Sequence, residues 1–299
     1  MSERASESSN TGRTRMLSPS DSMSWRRRGG YAAGLTVVSF FALVYLVPFV
    51  VALATAFKTR PDAAAHPLGL WPDPFHGRAW GVILSDEVLR WTFNSVVVTV
   101  CVTVGRIFLD SLAGYALARL RWPGRTLVFG LVVGALTVPP IVLAIPRFLV
   151  LKQFGLIDSY LALILPLAVD AFGIFLMRQF FLAVPKEMEE AARVDGAGIL
   201  RTYWSVILPL ARPGLVTLTI LSFQASWNEF LHPLVAVPGE PSLRTLPVGL
   251  AQLRGQLGEG LDFPVLLGGS VLVTLPVAVV FLFFQRHFVR GVASSGVKE

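Results

Sequence analysis

Six long apolar runs constrain the fold of this chain more than any other feature. Each holds at least about the 20 residues that an α-helix needs to cross the hydrocarbon core of a bilayer. Because lipid offers the backbone no hydrogen-bond partners, such runs cross it as helices. The runs are Tyr31–Phe57, Thr92–Ala118, Thr126–Pro146, Ser159–Phe181, Gly214–Val237 and Phe263–Gln285. The sequence therefore predicts an all-α integral membrane protein with a six-helix transmembrane domain over residues 25–299, its third helix kinked at Pro139 and Pro140.

The composition agrees with this class and excludes a soluble enzyme. Hydrophobic residues make up 54% of the chain and charged residues 15%, whereas soluble domains carry about 25% charged residues. The net charge is +7, but the lysines and arginines flank the apolar runs, which indicates membrane orientation rather than nucleic-acid binding. About twice as many of them fall on the side of the N-terminus as on the other side. Both termini and residues 185–213 are therefore predicted to be cytoplasmic.

The N-terminal tail and the one cysteine allow simpler predictions. Residues 1–24 are rich in serine, threonine and charge and are predicted to form a disordered cytoplasmic tail. No signal-peptide core with a cleavage site precedes the first apolar run, so this run is expected to remain as an anchor. Cys101, alone within an apolar run, forms no internal disulfide and is expected to be a buried small hydrophobe.

The most charged stretch between two apolar runs is Pro185–Pro213, and it is predicted to form two short helices. Its proline suits the first turn of a helix, and glutamates follow where the helix dipole favours negative charge. Gly196 is expected to take a left-handed conformation and to end the first helix. A second helix is predicted over Ile199–Leu208, with Pro209 stopping it before the next span. Without a partner, the two would be an amphipathic pair on the membrane surface.

Polar residues inside the apolar runs are candidates for lining a pathway or for pairing between helices. Arg106 and Asp110 are four residues apart, share one helix face and are expected to form a mutual ion pair. A charge within a membrane is by default a hypothesis of function, although packing or gating is favoured here over direct solute contact. The other candidates are Asp170, Asn228 and Glu229.

The sequence carries no catalytic or metal-binding signature. None of the four lysines follows a glycine, so the Gly-Lys-Ser/Thr loop that holds ATP phosphates is absent. The four histidines form neither an HExxH pair nor a zinc-binding spacing with Cys101. The chain is therefore predicted to be no enzyme and to bind no metal or cofactor itself.

A spaced signature runs through Pro185–Pro213: Glu-Ala-Ala at 190–192, Gly196 after three residues, and Leu208-Pro209 at its end. It resembles the cytoplasmic coupling loop of ABC-importer permeases, in which Glu-Ala-Ala, three residues, Gly, nine residues, Ile, one residue and Leu-Pro follow one another. Only Val206 departs from this pattern, where the family has isoleucine. We call Pro185–Pro213 the coupling segment. Short phrases elsewhere are similar to the maltose-type permeases of carbohydrate importers: Asn94-Ser95, Ala113–Arg119, Trp227–Phe230 and Phe288–Gly291.

The resemblance implies a type I permease fold and a division of work among several chains. Two ATPase subunits would bind ATP and Mg²⁺, and each would receive one coupling loop in a cleft. A sibling permease subunit would form a heterodimer with this chain, and an extracytoplasmic solute-binding protein would deliver the solute, with the help of the irregular outer segment 238–262. The expected location is the cytoplasmic (inner) membrane, multi-pass, among lipid and without a nucleic-acid partner. The implied ATPase-coupling residues are Glu190, Ala191, Ala192, Asp195, Gly196, Leu208 and Pro209, the first three on the face that meets the ATPase.

The favoured function is uptake of a sugar, and other functions remain open at this point. A permease for glycerol phosphate, an oligosaccharide or an amino sugar fits the same residues. An ion-coupled secondary transporter would use Asp110, Asp170 and Glu229. It predicts inverted repeats and broken helices; the sequence shows no repeat, and this alternative leaves the coupling segment unexplained. A membrane enzyme would lack any recognisable nucleophile or metal set.

Overall fold

The computed structural model of this chain describes residues 19–256 and 262–295, and every regular element in those ranges is helical. Contacts divide the chain into two units, residues 1–51 and 52–299. The described part of the first unit belongs to one helix, α1 (Pro19–Thr55), whose last residues lie in the second unit. Residues 1–18 of the predicted tail lie outside the described residues, and α1 begins within the predicted tail.

Three helices are long and apolar enough to cross a membrane in one piece. The first is α1, over residues 34–55. The second is α4 (Asp86–Arg119), which begins earlier than predicted because two acidic residues suit its first turn. The third is α15 (Phe263–Ser295), which qualifies as far as Phe284.

The other predicted spans are pairs of helices joined by a bend. α5 (Arg125–Leu136) leads across Pro139 into a 3₁₀ turn and α6 (Ala144–Gln153) at 102°, so the predicted proline kink is confirmed. α7 (Tyr160–Ile164) and its 3₁₀ turn meet α8 (Ala171–Ala183) at 41°. Within the described ranges the spans therefore number three, or up to six if each bent pair counts as one.

The fifth predicted span, Gly214–Val237, is wrong in its second half. α12 (Arg212–Trp227) ends there, and a separate helix, α13 (Leu231–Ala236), follows. Local hydrogen bonds of two polar side chains explain the break. Asn228 Nδ2 donates to the carbonyl of Gln224 at 2.9 Å, and Glu229 Oε1 accepts the N–H of His232 at 3.0 Å. At its N-terminal end, α12 meets the helical turns of residues 199–210 at a bend of 80°.

The outer segment 238–262 is more regular than predicted. It holds a 3₁₀ turn and α14 (Leu246–Gln256), while residues 257–261 lie outside the described residues. Side chains near the start of α4 hold it: Asn94 Nδ2 donates to two of its carbonyls at 2.7 and 2.9 Å, and Ser95 Oγ accepts the Leu246 N–H at 2.8 Å. Two further short helices precede α4 in the chain, α2 (Arg60–Ala65) and α3 (Arg78–Ile83).

Helix α4 lies at the centre of the second unit, where it packs against α8 and α12, and α12 packs against α15. Gly114 allows the close approach of α8, because a Cβ at this position would lie 2.9 Å from both Met177 Cβ and the Arg178 nitrogen. Large apolar side chains elsewhere on α4 are exposed, among them Phe93 and Val104. Cys101 is exposed on α4 as well, so the prediction that it is buried is wrong. A helix side that faces lipid is as apolar as one that faces a core, and sequence does not separate the two.

Candidate functional site

The first helix of the coupling segment ends at a glycine, as predicted. α9 (Glu187–Val194) carries three glutamates in its first turn. Gly196 has a φ of +76°, its N–H donates to the Arg193 carbonyl at 3.0 Å, and the Ala197 N–H donates to the Ala192 carbonyl at 2.9 Å. These two bonds form a Schellman motif, which requires a left-handed residue at the position of the glycine. The motif sets the turn between the two halves of the segment.

The second half of the coupling segment is wound less regularly than predicted. It consists of α10 (Ile199–Thr202), a π-helical turn (Tyr203–Ile207) and α11 (Leu208–Leu210). In the π-helical turn the N–H of Leu208 donates to the carbonyl of Tyr203, five residues earlier. Pro209 accounts for the widening, since its ring has no N–H and would crowd the carbonyl four residues before it. Such turns occur frequently at functional sites.

Helix α9 has an inward and an outward side. Glu189 and Ala192 are three residues apart, lie on one face and are both buried. The prediction that Ala192 faces a partner together with the two residues before it is therefore wrong. Successive residues of a helix are turned by about 100°, so three in a row do not share one narrow face. The outward side consists of Glu190, Ala191, Val194, Asp195 and Gly196.

A buried arginine attaches the coupling segment to two spans. Arg119, the last residue of α4, donates from Nε to the Phe181 carbonyl at 3.0 Å and from Nη2 to the Val184 carbonyl, both at the end of α8. The same Nε lies 3.4 Å from Glu189 Oε1, and only 5% of the arginine side chain and 8% of the glutamate side chain are exposed. Sequence reasoning missed this pair. The sequence offered a signal only for the face, since Glu189 precedes Ala192 by three residues and lies on the same side of the helix.

The second half of the segment is attached to the same helices through an aromatic cluster. Tyr203 and Ile207 are buried with Tyr115 of α4 and Phe181 of α8. The hydroxyl groups of Tyr203 and Ser111 are 2.7 Å apart and share a hydrogen bond. The last two residues of the signature, Leu208 and Pro209, are half-buried, and the leucine packs against this cluster. Both halves of the coupling segment are thus attached to α4 and α8.

A cavity of about 490 Å³ lies between α4, α8 and α12. It brings together three of the candidates inside the apolar runs, Arg106, Asp170 and Asn228, with apolar side chains around them. Ser222 and Gln224 of α12 also line it and were not predicted. Gln224 is four residues before Asn228, and this helical spacing was the signal that could have revealed it.

Arg106 and Asp110 bind backbone groups at the break between α7 and α8 and do not bind each other. Arg106 Nε donates to the Leu167 carbonyl at 2.8 Å, and Asp110 Oδ1 accepts the Asp170 N–H at 3.0 Å. Both residues lie in the described part of the chain and form no ion pair with one another, so the predicted pair is wrong. A broken span releases backbone groups that water cannot reach, and neighbouring side chains must bind them. Asp170 caps α8 in turn, because its Oδ2 accepts the Gly173 N–H at 3.1 Å.

Glu229 does not line this cavity, and Asp110 is completely buried behind it. Glu229 binds the N–H of His232 at the start of α13, while the His232 Nε2 lies 2.9 Å from the Ala162 carbonyl oxygen. In the residues that the structure describes, no three side chains of His, Cys, Asp or Glu come together as a metal site would require.

Comparison with known proteins shows similarity to transport permeases over most of the chain. The family described as "Binding-protein-dependent transport system inner membrane component" matches residues 110–294. A probable ABC transporter permease, YurM of Bacillus subtilis, is 35% identical over 89% of each chain. The arabinooligosaccharide permease AraQ of Halalkalibacterium halodurans is 34% identical over 92% of this chain and 97% of its own. The sn-glycerol-3-phosphate permease UgpE of Yersinia enterocolitica is 36% identical over 85% of this chain and 92% of its own.

Among solved structures, a chain of a bacterial ABC transporter that imports the acidic polysaccharide alginate superimposes with a TM-score of 0.72. It is 26% identical, and the match covers 92% of this chain and all of that one.

Proposed function

The chain belongs to the family of binding-protein-dependent transport system inner membrane components, and we propose that the solute it carries is a sugar. It is a permease subunit of an ABC importer in the inner membrane, and family membership makes it a transport subunit rather than an enzyme. The family also implies an ATPase and a solute-binding protein as partners.

The outward side of α9 is the surface through which the ATPase would act. Ala191, Val194 and Asp195 are exposed there, while Arg119 and Glu189 hold the opposite side of the same helix. A displacement of α9 would therefore be transmitted to α4 and α8, as expected of a rigid lever between two states. This exposed and internally anchored helix is the observation that carries the proposal.

The remaining parts of the importer are assigned from what the family resemblance implies. Two ATPase subunits hold ATP and Mg²⁺, a sibling permease forms a heterodimer with this chain, and the coupling segment and both termini lie on the cytoplasmic side. The excess of lysine and arginine on that side supports the orientation.

The cavity between α4, α8 and α12 is proposed as this subunit's share of the pathway. Arg106 and Asp170 offset each other in charge, and Ser222, Gln224 and Asn228 add hydroxyl and amide groups suited to sugar hydroxyls. This balance favours a neutral sugar. Glycerol phosphate is the second candidate, since Arg106 supplies a cation and one relative is named for that solute.

Chemical cross-linking tests the coupling surface. In a Cys101→Ala background, Ala191→Cys labelled with a benzophenone maleimide is expected to photo-cross-link to the co-expressed ATPase subunit, because the excited benzophenone inserts into a nearby C–H bond and needs no second thiol. Ala65→Cys, equally exposed but on α2 at the opposite side of the membrane, is the matched control. An assembled importer in which Ala191→Cys yields no cross-link, or no more than Ala65→Cys, would contradict the assignment.

The solute class is tested on the partner solute-binding protein. Titration calorimetry with neutral mono- and oligosaccharides and with sn-glycerol 3-phosphate separates the two candidates. Binding of the phosphate ester alone would replace the sugar assignment and leave the coupling assignment unchanged.

A further inference from the structure

A cleft of about 920 Å³ lies between the α4–α5 connection and the coupling segment. One wall is formed by the end of α4 and the residues that lead into α5, and the other by the end of α8, by α9 and by the start of α10. The Arg119–Glu189 pair closes its floor. It is separate from the polar cavity inside the spans and has no part in the proposed pathway.

The charge of this cleft is unbalanced. Five basic and two acidic side chains line it, which leaves an excess of three positive charges. Arg119 and Glu189 neutralise each other, so the excess rests on the four other basic residues against one glutamate. These residues are Arg121, Arg125, Lys186, Arg193 and Glu190. Such a concentration of cations in a recess favours an anion.

The rim of the cleft is apolar and continues into an exposed apolar surface on α5. Trp122 is 37% exposed and Ile199 is 55% exposed at the edge of the cleft. From Arg125 onward, α5 presents exposed apolar side chains such as Leu127 and Leu131. Tryptophan and arginine at the end of a span mark the membrane interface, where cations meet headgroups and apolar side chains meet acyl chains.

We propose that this cleft binds the phosphate headgroup of an anionic phospholipid of the cytoplasmic leaflet, between the α4–α5 connection and α9. Basic recesses between helices on this side of a membrane are suited to such headgroups. The acyl chains lie along α5, while Arg121, Arg125, Lys186 and Arg193 face the phosphate. A soluble anion would leave the adjoining apolar surface without an occupant. The ATPase is assigned to Ala191, Val194 and Asp195 on the outward side of α9, which do not line the cleft.

This site places a lipid against the helix that transmits the ATPase movement. The inference rests on the proposed orientation, which is tested separately by the labelling experiment described in the Discussion.

The test uses the fluorescence of Trp122 in the assembled importer in nanodiscs. Two sets of discs have the same mixture of phosphatidylcholine and phosphatidylglycerol, and brominated acyl chains are carried by an equal mole fraction of one lipid or of the other. Subtraction of the Trp122→Phe spectrum isolates the contribution of this side chain. Each interfacial Lys or Arg attracts an anionic lipid by about fivefold, so we expect brominated phosphatidylglycerol to be enriched at Trp122 by at least that factor over brominated phosphatidylcholine.

Substitutions test which basic residues cause the preference for the anionic lipid. Arg121→Gln/Arg125→Gln lowers the excess of the cleft from three positive charges to one and is expected to remove most of the preference, and Arg121→Gln alone, at an exposed position, to reduce it. Arg201→Gln, an exposed arginine of the coupling segment that does not line the cleft, is the matched control and should retain it. Equal quenching by the two brominated lipids in the wild type would overturn the proposal, and so would a preference that the double substitution leaves undiminished. A preference found only in the permease without its ATPase would show that the ATPase fills the cleft, which also overturns it.

Discussion

Gly196 is the residue on which the turn of the coupling segment depends. Its φ of +76° lies in the left-handed region, and a Cβ added there would meet no atom within 4 Å, so the backbone alone penalises a side chain. We expect Gly196→Ala to lower the free energy of unfolding by about 1–3 kcal/mol and to weaken ATPase recovery. Gly198→Ala is the matched control, because φ is −70° there and the space is also open. Thermal unfolding and co-purification of the ATPase measure both effects, and equal behaviour of the two variants would contradict the role of the turn.

The effect of losing Arg119 also depends on the contacts of a single residue. By its position it is one of several basic residues in an inner loop, and its loss would be expected to be mild. The structure instead buries it against Glu189 and two carbonyls of α8. Removing one partner of a buried ion pair costs about 3–5 kcal/mol, so Arg119→Gln is expected to lower the unfolding midpoint and uptake together.

The double variant Arg119→Gln/Glu189→Gln should recover part of this loss, because no charge is then left unpaired. Arg201→Gln, at an exposed position, serves as the control and is expected to be nearly neutral. A double variant no better than Arg119→Gln alone would show that the carbonyl contacts, and not the ion pair, carry the effect.

Breaks in the helices, more than the helices themselves, place the polar groups of this protein. The break between α7 and α8 leaves a carbonyl and an N–H that Arg106 and Asp110 bind from α4. The break after α12 sets Asn228 at the cavity and turns Glu229 to the start of α13. Each break therefore acts as a joint at which one element is fastened to another.

The joint between α7 and α8 can be tested at Asp110. Asp110→Leu removes the acceptor of the Asp170 N–H and leaves a buried donor unpaired, which costs about 1–3 kcal/mol. Asp110→Asn keeps a carbonyl oxygen at the same place and is expected to be milder in both thermal stability and uptake. If the asparagine variant were as unstable as the leucine variant, the acceptor role would be wrong and the carboxylate charge itself would matter.

A second joint, at the start of α15, is expected to respond to pH. Asp262 Oδ2 accepts hydrogen bonds from Arg60 at 2.7 Å and from Arg78 at 2.8 Å, which fastens α2 and α3 to the start of α15. Burial alone would raise the pKa of this carboxyl, but the two arginines outweigh it and the pKa is lowered. The stabilisation is therefore present above the unfolded-state pKa of about 3.9 and is lost as the pH falls through the lower folded-state pKa.

We accordingly expect Asp262→Asn to lower the unfolding midpoint most near neutral pH. The difference from the wild type should shrink below about pH 4. A difference that stays constant as the pH falls through this range would show that the charge of Asp262 contributes nothing.

For the whole molecule, orientation is the property that the proposed mechanism requires. Both termini and the coupling segment are predicted to be cytoplasmic and α2 to be outside. In a Cys101→Ala background, a membrane-impermeant maleimide should label Ala65→Cys in intact cells and Ala191→Cys only after permeabilisation. Both positions are exposed on this chain, and the cells used lack the partner ATPase that would cover Ala191, so access to them depends on the side of the membrane alone. Labelling of Ala191→Cys from outside would reverse the orientation and exclude an intracellular ATPase at this surface.

Several features of this protein could be predicted from its sequence because they depend on local physical rules. The apolar runs, the kink at Pro139, the left-handed turn at Gly196 and the coupling signature depend on neighbours along the chain, because bilayer thickness and backbone dihedral angles act over a few residues. The membrane class and the family follow from these features alone.

Tertiary structure decided which polar groups meet. Only the packing of α4 against α8 shows that Arg106 and Asp110 bind backbone groups at a helix break. Only the position of α9 beside these helices shows that Arg119 pairs with Glu189 and that Ala192 faces inward. These contacts join residues far apart in the chain, and their partners depend on distances that no local pattern contains. The lipid-facing side of a span is also as apolar as its packed side, so the exposure of Cys101 could be decided only by the position of neighbouring helices.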